Sequence, residues 1–196
     1  MTEKILLLIA MWLAYFALHS IFAMLPIKTF FTNTIGISPK IYRLQYVIFA
    51  IISLVAILLW AAIIESPYVI PLGWWQRFSG LLFAAWGIII SIRAFKSYDT
   101  MAFFGLNDLK SEDEFQTDGL LKYVRHPLYS GSILLFAGFF LYIPTVVNMI
   151  SSSLAILYFL IGIQFEEKKL IRLFGERYLE YKKNTPMLIP RIFNRQ

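Results

Sequence analysis

The chain has 196 residues, of which 59% are hydrophobic and 15% charged, with a mean hydropathy of +0.66, whereas a soluble domain is about half apolar and about a quarter charged. Too few charges lie between residues 44 and 92 to cover a water-facing surface, so the excess apolar surface must meet lipid. The net charge of +6 gathers beside apolar stretches, which argues for membrane lipids as partners and against nucleic acid; the absence of cysteine excludes disulfides and thiolate chemistry, and two histidines are too few for a histidine metal cluster, so no metal is expected.

In chain order, five apolar stretches predict spans over about residues 5–25, 44–64, 74–92, 128–143 and 146–163. A helix needs about 20 residues to cross the hydrocarbon core, which the first three supply. The first is too long for the core of a cleaved signal, contains His19, and shows no small-residue cleavage pattern before Pro26. The last two are shorter and meet at Pro144-Thr145, so they read as a tight hairpin whose legs lean on neighbouring helices.

Charge orients the spans. With five spans and a cytosolic C-terminus, the outside keeps only Lys4 and Arg77, and the other sixteen basic residues fall inside. The prediction is a single all-α membrane domain over 1–196, a bundle of about five transmembrane helices whose cytosolic cap is built from residues 93–125 and 164–196. Within the cap, Ser111-Glu112-Asp113-Glu114 and Thr117-Asp118-Gly119 carry loop and turn chemistry. Glu166 to Phe174 is rich in helix formers, Gly175 offers a stop or kink, Tyr178, Leu179 and Tyr181 form a short amphipathic run, and Pro186 and Pro190 end it.

The chemistry concentrates where the cytosolic loop enters the fourth span, in Gly119-Leu120-Leu121-Lys122-Tyr123-Val124-Arg125-His126-Pro127-Leu128-Tyr129-Ser130-Gly131. Pro127 suits the first turn of a helix, Gly131 lets something approach the backbone closely, and free N–H groups at the helix start could hold an anion. Taken alone, Arg125 and His126 fit lipid head groups equally well, with Tyr123 and Tyr129 in the aromatic belt. Glu166 and Glu167 tilt that balance. They follow directly on the returning fifth span and should end beside His126, where carboxylates need a cationic partner: Arg125 or a ligand.

Arg125-His126-Pro127-Leu128-Tyr129-Ser130-Gly131, Glu166-Glu167-Lys168-Lys169-Leu170, Phe174-Gly175, Tyr178, Tyr181 and the Pro186 to Pro190 segment, in this order and spacing, resemble the membrane methyltransferases that include isoprenylcysteine carboxyl methyltransferase and phospholipid methyltransferases. These motifs cover about the last 80 residues. Leu18-His19-Ser20, Phe104-Gly105-Leu106, Ile161 to Glu167 and Pro186 to Pro190 are similar to the methanethiol S-methyltransferase branch. The resemblance implies S-adenosylmethionine as cofactor, held by Gln116, Leu120, Leu121, Tyr123, Arg125, His126, Pro127, Tyr129, Gly131, Glu166 and Glu167. It also implies a bacterial or archaeal inner membrane, with the N-terminus outside and the active site cytosolic.

The sequence departs from the carboxyl methyltransferases at Leu160 to Ile163, which is apolar where they carry an arginine one turn before the acidic pair. Gln164 is the nearest polar group and a candidate catalytic residue. A small thiol or neutral lipophilic acceptor entering through the bilayer is therefore expected, ahead of an isoprenylcysteine carboxyl group or a phospholipid. A thiol must lose its proton, and His19 near the inner end of the first span is the candidate base; a histidine hydrogen-bonded between helices is the plainer reading of the same residue. The rival classes are a non-catalytic assembly or sensor protein and a transporter, the latter disfavoured by the near absence of mid-span ionisable residues.

Overall fold

The structure is a computed structural model and describes residues 1–96 and 115–191. Its class is the expected one, an all-helical membrane fold. Among the described residues β pairing is confined to one isolated bridge, between Tyr68 and Thr145. The helices are α1 (Thr2–Ala23), α2 (Leu25–Thr29), α3 (Pro39–Ala62), α4 (Trp74–Phe95), α5 (Pro127–Tyr142), α6 (Val146–Phe174) and α7 (Glu176–Asn184), with a π-helical turn at Phe30–Thr34 and a 3-10 turn at Gly119–Lys122. Four of them, α1, α3, α4 and α6, are long and apolar enough to cross a membrane. Two helices extend beyond the boundaries expected from hydropathy. α3 begins five residues before residue 44 because Pro39 occupies its first turn and the Ser38 hydroxyl accepts from Ile41 N–H at 3.3 Å, a complete helix start. α6 runs eleven residues past Ile163, carrying the acidic pair on the same unbroken helix as the apolar stretch.

The chain divides into two compact units. The first, residues 1–69 and 145–151, joins α1 to α3 and to the first turns of α6 through polar groups that a lipid environment leaves no other way to satisfy. The Tyr42 hydroxyl donates to Phe22 O at 2.8 Å, and the Trp12 indole donates to Ser151 Oγ at 3.1 Å in a buried contact. Val146 N–H and Val147 N–H, two of the unpaired donors at the start of α6, are taken by Pro67 O and Ser66 Oγ, both at 3.1 Å.

The second unit comprises residues 70–96, 115–144 and 152–191 of the described chain. α5 has 16 residues and so rises only about 24 Å, short of the roughly 30 Å of hydrocarbon. It leans on α4, as a short leg must, and does so at backbone distance. A Cβ built on Gly80 would lie 2.6 Å from Tyr142 N, one on Gly87 2.6 Å from Gly131 O, and one on Gly138 2.5 Å from Ala84 N. Gly80, Ala84, Gly87 and Ser91 on α4 face Gly131, Leu135, Gly138 and Tyr142 on α5, two small-residue stripes that interlock. The Gln76 side chain closes the far end of the pair, donating to Leu141 O at 2.6 Å.

Candidate functional site

Everything in the site described here belongs to the second unit. At the start of α5, the Arg125 side chain donates from Nε to Glu167 Oε1 at 2.8 Å, and Nη2 binds the same oxygen. His126 Nε2 lies 3.3 Å from that oxygen. The Lys182 ammonium, reaching from α7, binds Glu167 Oε2 at 2.6 Å. The carboxylate is buried, as are the Arg125 and His126 side chains, while Lys182 is 40% exposed. A carboxylate buried this far needs partners of this kind, since an unpaired charge at that depth is strongly destabilising.

The segment after α7 completes the arrangement. Arg125 N–H donates to Pro186 O at 2.9 Å, His126 N–H to Met187 O at 3.1 Å, and the Ser130 hydroxyl to Leu188 O at 2.7 Å. Arg125 Nη1 donates to the carbonyls of Lys182 and Thr185. The Pro186 to Leu188 strap thus occupies the amides of Arg125 and His126, just ahead of the first turn of α5. Pro127, fully buried, supplies no donor and sets the first turn of α5.

Glu166 differs from its neighbour. It is half-buried and makes no hydrogen bond or ion pair among the described residues. Its face of α6 is nonetheless defined. Phe159, Gly162 and Glu166 are spaced three and four apart and so share one stripe. The Tyr129 ring lies 5.9 Å from Phe159, and a Cβ on Gly162 would stand 3.5 Å from the Tyr129 hydroxyl. Tyr129 also packs edge-on against His126 at 5.7 Å. Burial holds the His126 imidazole below its ordinary pKa, with Glu166 and Glu167 opposing that shift, so the ring is neutral at pH 7.

α7 adds Tyr178, 1% exposed, whose buried hydroxyl lies near the Arg125 guanidinium and Glu167 and whose O–H has no acceptor among the described residues. Burial, with the charge of Glu167, pushes that phenol well above its ordinary range. Phe115 packs against Phe174, Tyr178 and Tyr181 with ring centroids 5.1–5.9 Å apart, and the Tyr181 hydroxyl donates to Leu121 O at 2.6 Å. A solvent-facing cavity of about 390 Å³, lined by Thr117, Lys122, Tyr181, Asn184 and Thr185 among others, opens beside the cluster.

The structure thus brings together Arg125, His126, Tyr129 and Glu167, with Glu166 one turn beyond Gly162. Leu121 is buried under Tyr181, Leu120 is half-buried, and Gln116 and Tyr123 are exposed. At Gly131 the neighbour is a helix. Its close approach is made by α4, because a Cβ there would clash with Ser91 and with Gly87 O, so helix packing accounts for the glycine. Gln164 is exposed and lies off the Tyr129-facing stripe, with Lys168 one turn away. His19 belongs to the first unit, where its Nε2 is 2.9 Å from the Tyr46 hydroxyl and its ring lies between Tyr15 and Tyr46. Phe104-Gly105-Leu106 and Ser111 to Glu114 lie outside the described residues. Sequence reasoning missed Lys182 and Thr185, although their spacing from Tyr178 and Tyr181 on one face of the short amphipathic helix was the available signal.

Residues 75–177, just over half of the chain, match the model of the phospholipid methyltransferase family. The chain is 43% identical over 77 residues to a methanethiol S-methyltransferase of Crocosphaera subtropica, covering 39% of this chain and 29% of the relative. It is 29% identical to methanethiol S-methyltransferase 1 of Bradyrhizobium diazoefficiens, covering 96% and 68%. It is 36% identical over 77 residues to a protein-S-isoprenylcysteine O-methyltransferase of Schizosaccharomyces pombe, covering 39% and 33%. The chain therefore spans a third or less of the first and third of these relatives. No solved structure matches it.

Proposed function

Because the chain belongs to the phospholipid methyltransferase family, we propose that it is an S-adenosylmethionine-dependent membrane methyltransferase whose acceptor is a small thiol reaching the site from the bilayer. The observation that carries this reading is the pairing of a buried carboxylate, Glu167, held by three cationic or imidazole groups, with one, Glu166, that makes no hydrogen bond or ion pair among the described residues and lies on the stripe that faces Tyr129. The donor set fits the cofactor. Two carboxylates and aromatic rings favour an ammonium and a sulfonium, and the unpaired Tyr178 hydroxyl is a buried donor still seeking an acceptor.

In this reading Glu167 positions Arg125 and His126, and Glu166 is the carboxylate open to the ribose hydroxyl groups of the cofactor. Tyr129 supplies a ring face. Leu120, Leu121 and Pro127 give apolar wall, with Gln116 and Tyr123 at the rim. When bound, the cofactor supplies a methyl group already activated by its sulfonium, so the chain's own work is alignment and exclusion of water. A thiol is favoured because two of the relatives named above are methanethiol S-methyltransferases and because Leu160 to Ile163 offers a carboxylate acceptor no cation. The charge distribution supports an orientation with the N-terminus outside and the site on the cytosolic side.

The test is transfer of label from methyl-labelled S-adenosylmethionine in membranes offered methanethiol, a prenylcysteine or phospholipid. Label should appear in the thioether, and Glu166→Gln should abolish it, while Gln164→Ala should leave it intact. Label in lipid or prenylcysteine alone would move the acceptor, and turnover that survives Glu166→Gln would remove the site.

A further inference from the structure

The two oxygens of Glu167 keep unlike company. Oε1 is bound by Arg125 and His126, whose side chains are 8% and 3% exposed. Arg125 is tied down again by the carbonyls of Lys182 and Thr185. None of these groups can leave without opening the turn before α5. Oε2 is bound by Lys182, whose ammonium is a compact, strongly hydrated charge on a flexible stem already 40% exposed. It can exchange its carboxylate for water and leave the backbone as it is.

A second feature of the same cluster points to a ligand. The Tyr178 hydroxyl is buried beside the Arg125 guanidinium, a donor, and its own O–H finds no acceptor among the described residues. Buried hydroxyls are as a rule satisfied, and one that is not invites an acceptor. Its surroundings already hold an anion near a guanidinium, so the acceptor that suits it is an oxygen on a molecule that brings its own cation.

We propose that Glu167 Oε2 and the Tyr178 hydroxyl form a subsite for the α-amino acid end of the methyl donor, and that Lys182 holds the place of the donor's ammonium until it binds. The inference rests on the proposed function and adds to it the exchange and the residues that make it. One ammonium replaces another on Glu167, so the carboxylate is never left buried and unpaired. The displaced lysine goes into water, and the Tyr178 O–H donates to a carboxylate oxygen of the ligand, which the Arg125 charge also favours.

Two ligands separate the subsite from the rest of the donor: S-adenosylhomocysteine carries the amino acid end, and 5′-methylthioadenosine lacks it. In calorimetric titrations of the full chain in detergent, Lys182→Met should tighten S-adenosylhomocysteine by about three- to tenfold and leave methylthioadenosine unchanged, since it removes a competing ion pair. Tyr178→Phe should weaken S-adenosylhomocysteine about five- to tenfold, the loss of one hydrogen bond, with methylthioadenosine unchanged and the ligand-free melting temperature the same or higher. Tyr178→Phe removes a single unpaired oxygen, so it decides the matter even if Lys182→Met does not fold. Weaker binding of both ligands to Lys182→Met, or an unchanged affinity in Tyr178→Phe, would overturn the subsite. A wild-type chain that binds neither ligand would overturn the donor reading first, and the subsite with it.

Discussion

The α4–α5 pair and the ionic cluster at the mouth of α5 sit in the same unit and solve opposite problems. In the pair, contact is made by leaving side chains out: Gly80, Gly87, Gly131 and Gly138 let two backbones meet at distances no Cβ would permit. In the cluster, contact is made by adding charge until one buried carboxylate is surrounded. The first has no exchangeable part. The second has one, Lys182, and a hydroxyl without a partner. The difference teaches that rigidity and ligand exchange are divided along α5, whose body is fixed by packing while its first turn is held by groups that can be traded.

The cluster breaks hardest when its fixed cation goes. Arg125→Ala leaves Glu167 buried with a neutral histidine and one exposed lysine, and should cost about 3–5 kcal/mol, read as loss of the folded species in detergent by size exclusion and thermal melting. The pair is next. Gly138→Val must push α5 off Ala84 and should cost about 1–3 kcal/mol, measured by the same melt, while Gly36→Ala, where a Cβ meets nothing but φ is positive, should cost less.

The smallest effect sharpens the contrast by pH. The folded pKa of His126 lies below its unfolded value, so between the two the unfolded chain binds the extra proton. Stability attributable to His126 is therefore complete above about pH 6.5 and declines as pH falls below it. Melting temperatures taken from pH 7.5 down to 5.5 should fall, and His126→Gln should flatten that slope. A slope unchanged in the variant would assign the titration to another group.

Much of this was legible in the residues. The meeting of Arg125 and His126 with Glu167 followed from an apolar hairpin that returns the chain to the depth it left, and from the rule that a carboxylate there must find a cation. The helix pairing was written in the spacing of Gly80, Ala84, Gly87 and Ser91 against Gly131 and Gly138, and went unread because small residues carry no hydropathy signal. The sequence left open what comes close to Gly131 for the same reason, since a glycine announces a close approach without naming what approaches. The strap could not be read at all: Arg125 and His126 bind carbonyls of Pro186 and Met187, and every residue has a carbonyl. The choice of Glu167 over Glu166 as the engaged carboxylate depends on helix phase relative to α7, which one sequence does not reveal.

That strap has a consequence for how the protein is made. The bonds from Arg125 to Thr185 O and from Ser130 to Leu188 O close loops of 60 and 58 residues around the α5–α6 hairpin, and closures of that length wait until the hairpin between them has formed. Insertion into the bilayer and completion of the Arg125–Glu167 cluster are thus separate events in biogenesis, so a nascent chain can be anchored in the membrane before its ionic cluster is closed.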